Sequence, residues 1–167
     1  MFNRLLVTTD GSVSSQMALP YAVQLAEMLG SEIVVLYVLL GQSESLAGRV
    51  PAPERRHELK QYGQQALDDA LRLIEMPARQ VLKEAHDHDV AKTIVDVAAE
   101  QEADLIVISS HGHSCAEPGR GMMGSTAERV MHRAKTPVLL VRDSGAIQML
   151  NHLQLSIGAR IDVAGLT

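Results

Sequence analysis

Runs of aliphatic and β-branched residues alternate along this chain with segments whose apolar positions recur at helical spacing. Leu5-Leu6-Val7-Thr8-Thr9, Ile33-Val34-Val35-Leu36-Tyr37-Val38, Leu105-Ile106-Val107-Ile108 and Val138-Leu139-Leu140-Val141 are short and almost uninterrupted. Strands covered on both faces of a parallel sheet read this way. A fifth strand is predicted over 80–86. There Val81 and Leu82 give way to Lys83 and Glu84, which suits a sheet edge.

Between the strands lie helices. Ala18, Ala22, Leu25, Ala26 and Leu29 share one helical face, and Gly30 stands where a C-cap is wanted. Pro20 is compatible with a first turn and kinks a helix if it lies deeper. Residues 40–53, with Gly, Ser and two prolines, read as a long exposed loop. Helix 54–75 follows, with Leu59, Tyr62, Ala66, Ala70, Leu73 and Ile74 on one face, and Pro77 ends it. Asp89 caps a helix whose apolar face is Ile94, Val97 and Ala98, and a last helix from Ser125 carries Ala127, Val130, Met131 and Ala134. The alternation predicts a single-domain α/β fold, a doubly wound five-stranded parallel sheet with helices on both faces.

Ligands of such sheets bind at the carboxyl ends of strands, where strand order reverses. Two segments meet there, Thr8-Thr9-Asp10 after strand one and Ser109-Ser110-His111-Gly112 after strand four. The second continues to Gly124-Ser125-Thr126, whose hydroxyl residues are suited to cap the free N–H groups of a first helical turn. Strand, glycine-bearing loop and helix start together favour phosphate oxygens. The same glycines (Gly112, Gly119, Gly121 and Gly124, with Pro118) also read as a surface connection that relieves turn strain.

Composition narrows the ligand. A net charge of −5 and an aromatic content of 2% disfavour nucleic acid. No run approaches the roughly 20 apolar residues that span a bilayer, and Met1-Phe2-Asn3-Arg4 enters the first strand without a signal-peptide pattern. The expected location is the cytoplasm, with no membrane insertion. Cys115 is the only cysteine, which excludes an internal disulfide or a cysteine zinc cluster. It reads as an incidental, partly exposed loop thiol.

Residues 4 to 142 resemble the universal stress protein family. The likeness is carried by Leu5-Leu6-Val7-Thr8-Thr9-Asp10-Gly11-Ser12, Ala103-Asp104-Leu105-Ile106-Val107-Ile108, Ser110-His111-Gly112, Gly124-Ser125-Thr126-Ala127-Glu128-Arg129-Val130 and Thr136-Pro137-Val138-Leu139-Leu140-Val141-Arg142. The resemblance implies an adenine nucleotide α-hydrolase-like sheet, a homodimer formed through the last strand (Val138 to Val141), and, for one branch of the family, ATP binding. That branch has glycine, two residues, glycine, nine residues, then glycine with serine or threonine. Here Ser109 stands at the first glycine, Gly112 and Gly124 at the others with Ser125 following, and eleven residues fill the longer interval. Ser109 lacks glycine's freedom at positive φ and brings a side chain where the backbone is expected to approach the nucleotide.

Carried over by position, the resemblance implies that Thr8, Thr9 and Asp10 border the adenine and ribose, and that the Val38 backbone reads the adenine edge. Ser109, His111, Gly112, His113, Gly124, Ser125 and Thr126 would surround the phosphates, with Mg²⁺ held through the phosphates themselves. Asp10 also reads as a turn or cap residue. His111 and His113, and likewise His86 and His88, sit two apart, but no acidic or cysteine ligand at helical spacing completes a metal site.

No P-loop lysine is present, nor the Ser-Gly-Gly-X-Asp-Ser motif of ATP pyrophosphatases, so slow ATP hydrolysis is the most that is expected. The expected function is that of an ATP-binding stress-response regulator whose loop conformation controls a protein partner. The alternatives are a nucleotide-free dimeric interaction module and a binder of another adenine nucleotide such as cyclic AMP. Residues 1–143 form the expected domain. Residues 144–167, with Ile147, Met149, Leu150, Leu153, Leu155 and Ile157, form an extension expected to pack on the domain or on a dimer partner.

Overall fold

The computed structural model describes residues 2–40, 53–112 and 123–142, with the side chains of residues 53–55 and of His86 excepted. Residues 144–167, Cys115 and His113 lie outside the described residues, as does most of the expected 40–53 loop. The elements run β1 (Arg4–Thr8), α1 (Val13–Gln16), α2 (Leu19–Leu29), β2 (Glu32–Leu39), α3 (Pro53–Ile74), β3 (Ala78–Glu84), α4 (Val90–Glu100), β4 (Leu105–Ser109), α5 (Ser125–Arg133) and β5 (Val138–Val141). All strand pairs are parallel, in the order β3-β2-β1-β4-β5, so the doubly wound sheet is confirmed.

Because successive side chains of a strand point to opposite faces, each buried run splits between two cores. Leu5, Val7, Ile33, Val35 and Val107 face α2 and α3, where Leu19, Ala22, Leu67 and Ile74 complete the packing. Leu6, Val34, Leu36, Ile106 and Ile108 face α4 and α5, meeting Ile94, Val97, Ala127 and Val130. Leu5, Leu6 and Val7 are wholly buried, as befits the central strand.

Two local features depart from expectation, and one short element is additional to it. The helix expected along Ala18 to Leu29 with Gly30 as its C-cap is α2, and a short α1 that the sequence pattern did not separate precedes it, with Met17 and Ala18 between the two. Pro20 lies in the first turn of α2, where its missing N–H costs nothing; one continuous helix would set its ring against the carbonyl of Gln16. The third strand spans 78–84 rather than 80–86, and His86–His88 form a 3₁₀ turn in which Asp87 and His88 have positive φ. Helix α5 is capped by Gly124, which makes no side-chain hydrogen bond, so Ser125 and Thr126 belong to its first turn instead of capping it. Asp89 caps α4 as expected, accepting from the Lys92 amide at 3.0 Å.

Two acidic residues tie elements together. The Asp89 carboxylate also pairs with Arg129 at 2.6 Å and with Arg133, joining the start of α4 to α5. The hydrogen bond from Arg133, followed by that from the Lys92 amide, holds its pKa below the ordinary value. At the opposite edge of the domain, Asp104 accepts from the amides of Asn3 (2.7 Å) and Arg4 (3.0 Å), clasping the start of β1 to that of β4.

Those two bonds, Asn3 first, depress the Asp104 pKa. The unfolded chain therefore takes up this proton at higher pH than the folded one, so stability rises with pH between the two values. The Asp104 contribution is complete above its ordinary value of 3.8 and is lost as pH falls toward the folded one. In urea unfolding across the acid range, wild type should lose stability below about pH 4. Asp104→Asn should start lower at neutral pH and decline less steeply.

Candidate functional site

After Thr8 the chain leaves the sheet and is fixed at each step. The Thr9 amide donates to the Leu36 carbonyl at 2.9 Å, and its hydroxyl bonds the Ser15 hydroxyl at 3.0 Å in a buried contact. Gly11, at φ +81°, donates its amide to the Thr9 hydroxyl at 3.1 Å. An L-residue would be strained in that conformation, and its Cβ would lie 3.1 Å from the Tyr62 hydroxyl. The next amide and hydroxyl, both of Ser12, donate to Asp10 Oδ1 at 2.9 and 2.5 Å. Asp10 thus does act as a turn residue, and the turn fixes its carboxylate.

Beside this turn lies the end of β4. The Ser110 amide donates to the Val141 carbonyl at 2.7 Å, continuing the sheet by one residue. Ser109 turns its hydroxyl back to the His111 carbonyl at 2.6 Å, while Ser110 Oγ and His111 Nδ1 share a hydrogen bond of 2.8 Å. Gly112 then passes so close to Asp10 that any Cβ there would overlap Oδ2. Its φ is not positive, so it is the position of the carboxylate, and not backbone conformation, that favours glycine here. Across the gap the Gly124 amide donates to the Ser110 carbonyl at 2.7 Å, which sets the first turn of α5 against the end of β4.

A cleft of about 310 Å³ opens between these pieces. Thr8, Thr9, Asp10, Val38, Ser109, His111, Gly112, Gly124, Ser125 and Thr126 all line it; of the expected site residues only His113 lies outside the described residues. Leu36, Val90, Ile94 and Ile108 supply an apolar wall that the sequence reading assigned to the core or passed over. Their spacing is that of core positions, so periodicity could not have separated wall from core. Ser15 and Tyr37 were also missed. The Tyr37 ring meets that of Tyr62 edge-on at 6.2 Å, and burial, then Tyr62 and Asp10, push its hydroxyl up to about 12. Tyr37 therefore stays a neutral phenol at physiological pH. Among the described helices none is long and apolar enough to cross a membrane.

The geometry can be set beside known proteins. Residues 1–142 match the model of the universal stress protein family. Universal stress protein YxiE of Bacillus subtilis is 33% identical over 150 residues, covering 85% of this chain and 100% of that protein. The crystal structure of a universal stress protein family member from Burkholderia pseudomallei superposes with a TM-score of 0.63 at 28% identity, covering 84% of this chain and 96% of the other. A universal stress protein solved in complex with cAMP gives a TM-score of 0.56 at 25% identity, covering 84% and 97%. With the family model matching most of its length and sheet order, cores and cleft accounted for, the chain belongs to the universal stress protein family.

Proposed function

We propose that the cleft binds an adenine nucleotide, with ATP as the ligand, and that binding orders the connection between β4 and α5. One observation carries this reading. The first turn of α5 opens on the cleft without a side-chain cap, beside the Asp10 and Gly112 contact, at the point where strand order reverses. Amides without helical partners and the positive end of the helix dipole favour an anion at that place.

In this arrangement Thr8, Thr9 and Asp10 border the ribose and adenine, the Val38 backbone reads the purine edge, and Ile94 and Ile108 cover its face. His111, Gly112, Gly124, Ser125 and Thr126 hold the phosphates, with His113 assigned to the same group by resemblance. No lysine or arginine is among the described residues lining the cleft, so a triphosphate would bring Mg²⁺ to offset its charge. The same feature favours cyclic AMP, which carries a single negative charge, as the second reading. A 25%-identical relative has been solved in complex with cAMP.

Residues of the ordered connection would then present a surface to a protein partner. The edge strand β5, with Val138, Leu139 and Leu140 half-buried, is the surface for a homodimer.

Calorimetric titration with ATP, ADP and cyclic AMP tests the ligand: saturable heat with ATP is expected, and heat with cyclic AMP alone would select the second reading. Gly112→Ala should weaken binding by about tenfold or more while the protein still folds, since the new methyl group displaces the Asp10 carboxylate. Hydrogen exchange along residues 112–124 should slow on addition of ATP. Equal exchange with and without nucleotide would remove the regulatory part of the proposal.

A further inference from the structure

A trans peptide is planar, and its carbonyl and N–H point in opposite directions. The carbonyl of His111 and the amide of Gly112 belong to one such unit. Ser109, which is 7% exposed, holds that carbonyl through its hydroxyl at 2.6 Å, so the Gly112 N–H is directed away from Ser109. Among the described residues no hydrogen bond to Gly112 itself fixes this direction. The Asp10 carboxylate, where it lies, leaves no room for a Cβ there, and without one the preceding peptide plane can turn over at little steric cost.

The geometry points to Ser109 as the positioning residue that fixes the Gly112 amide toward the phosphate end of the cleft, an inference that rests on the nucleotide reading above. Turned over, the same peptide unit would present the His111 carbonyl oxygen to an anion and repel it. The serine therefore substitutes a hydroxyl anchor for the conformational freedom of a glycine. Ser109 lines the cleft, but its hydroxyl proton is committed to the His111 carbonyl. Shielding from water strengthens that anchor. Ser110 supports it from the next position, where its hydroxyl bonds the His111 ring and its carbonyl receives the Gly124 amide.

The test compares wild type, Ser109→Ala and Ser109→Thr. ATP and adenosine are titrated by calorimetry, and the backbone amide of Gly112 is followed by NMR in the nucleotide-free proteins. Ser109→Ala should bind ATP about tenfold more weakly and adenosine as wild type does, because only the phosphate grip depends on the peptide direction. Ser109→Thr, which keeps the hydroxyl, should restore ATP affinity. The Gly112 amide should shift and exchange faster in the alanine variant but not in the threonine variant. Equal ATP affinity in wild type and Ser109→Ala overturns the positioning role and leaves the nucleotide reading standing, and so does an equal loss for adenosine. If wild type binds no nucleotide, that reading fails separately. The Gly112 amide then decides whether Ser109 holds the peptide, and no change in the alanine variant overturns it.

Discussion

The site depends on the position of one strand. β1 pairs in parallel with β2 on one side and β4 on the other, and its Leu5, Leu6 and Val7 are sealed from solvent on both faces. A parallel strand so placed cannot turn back on its neighbour and must send the chain across a face. From β1 the chain crosses the face of α2 and α3, and from β4 it crosses that of α4 and α5. The two exits diverge and leave a crevice between them. Burial of those aliphatic side chains, roughly 25 cal/mol for each Å² of apolar surface, sets the frame in which the polar contacts of the cleft operate.

Within that frame the two loops are fitted to each other. Asp10 is locked by Ser12 on one oxygen and lies against Gly112 with the other, so the turn after β1 dictates what the turn after β4 can contain. Ser109 and Ser110 fix the second turn from within. The cleft is thus largely built by hydrogen bonds among its own residues. Such pre-organisation lowers the ordering cost of binding a ligand.

Much of this was legible in the sequence. Strands buried on both faces leave unbroken apolar runs, and the order of those runs implied both the reversal of the sheet and the neighbouring ends of strands one and four. Of the residues named from the motifs, all but His113, which lies outside the described residues, line one cleft. What could not be read were choices between near-equal local solutions. Pro20 fitted either a first turn or a kink. Ser125 looked like a cap, yet the backbone of Gly124 takes the capping position because its amide reaches the Ser110 carbonyl. The overlap that favours glycine at 112 joins residues far apart in the chain and leaves no local signature.

The attachment of α5 bears on what the chain leading into it has to do. The helix is located by the Gly124 amide on the Ser110 carbonyl at one end and by Arg129 and Arg133 on Asp89 along its flank. Those anchors act through space, so the covalent tether between β4 and α5 is relieved of the task of positioning it. Two additional residues in that tether change the closure entropy by only about 0.1–0.2 kcal/mol. The placement of α5 is therefore nearly indifferent to the length of the connector, whereas it depends on the contacts at the helix's start and along its flank.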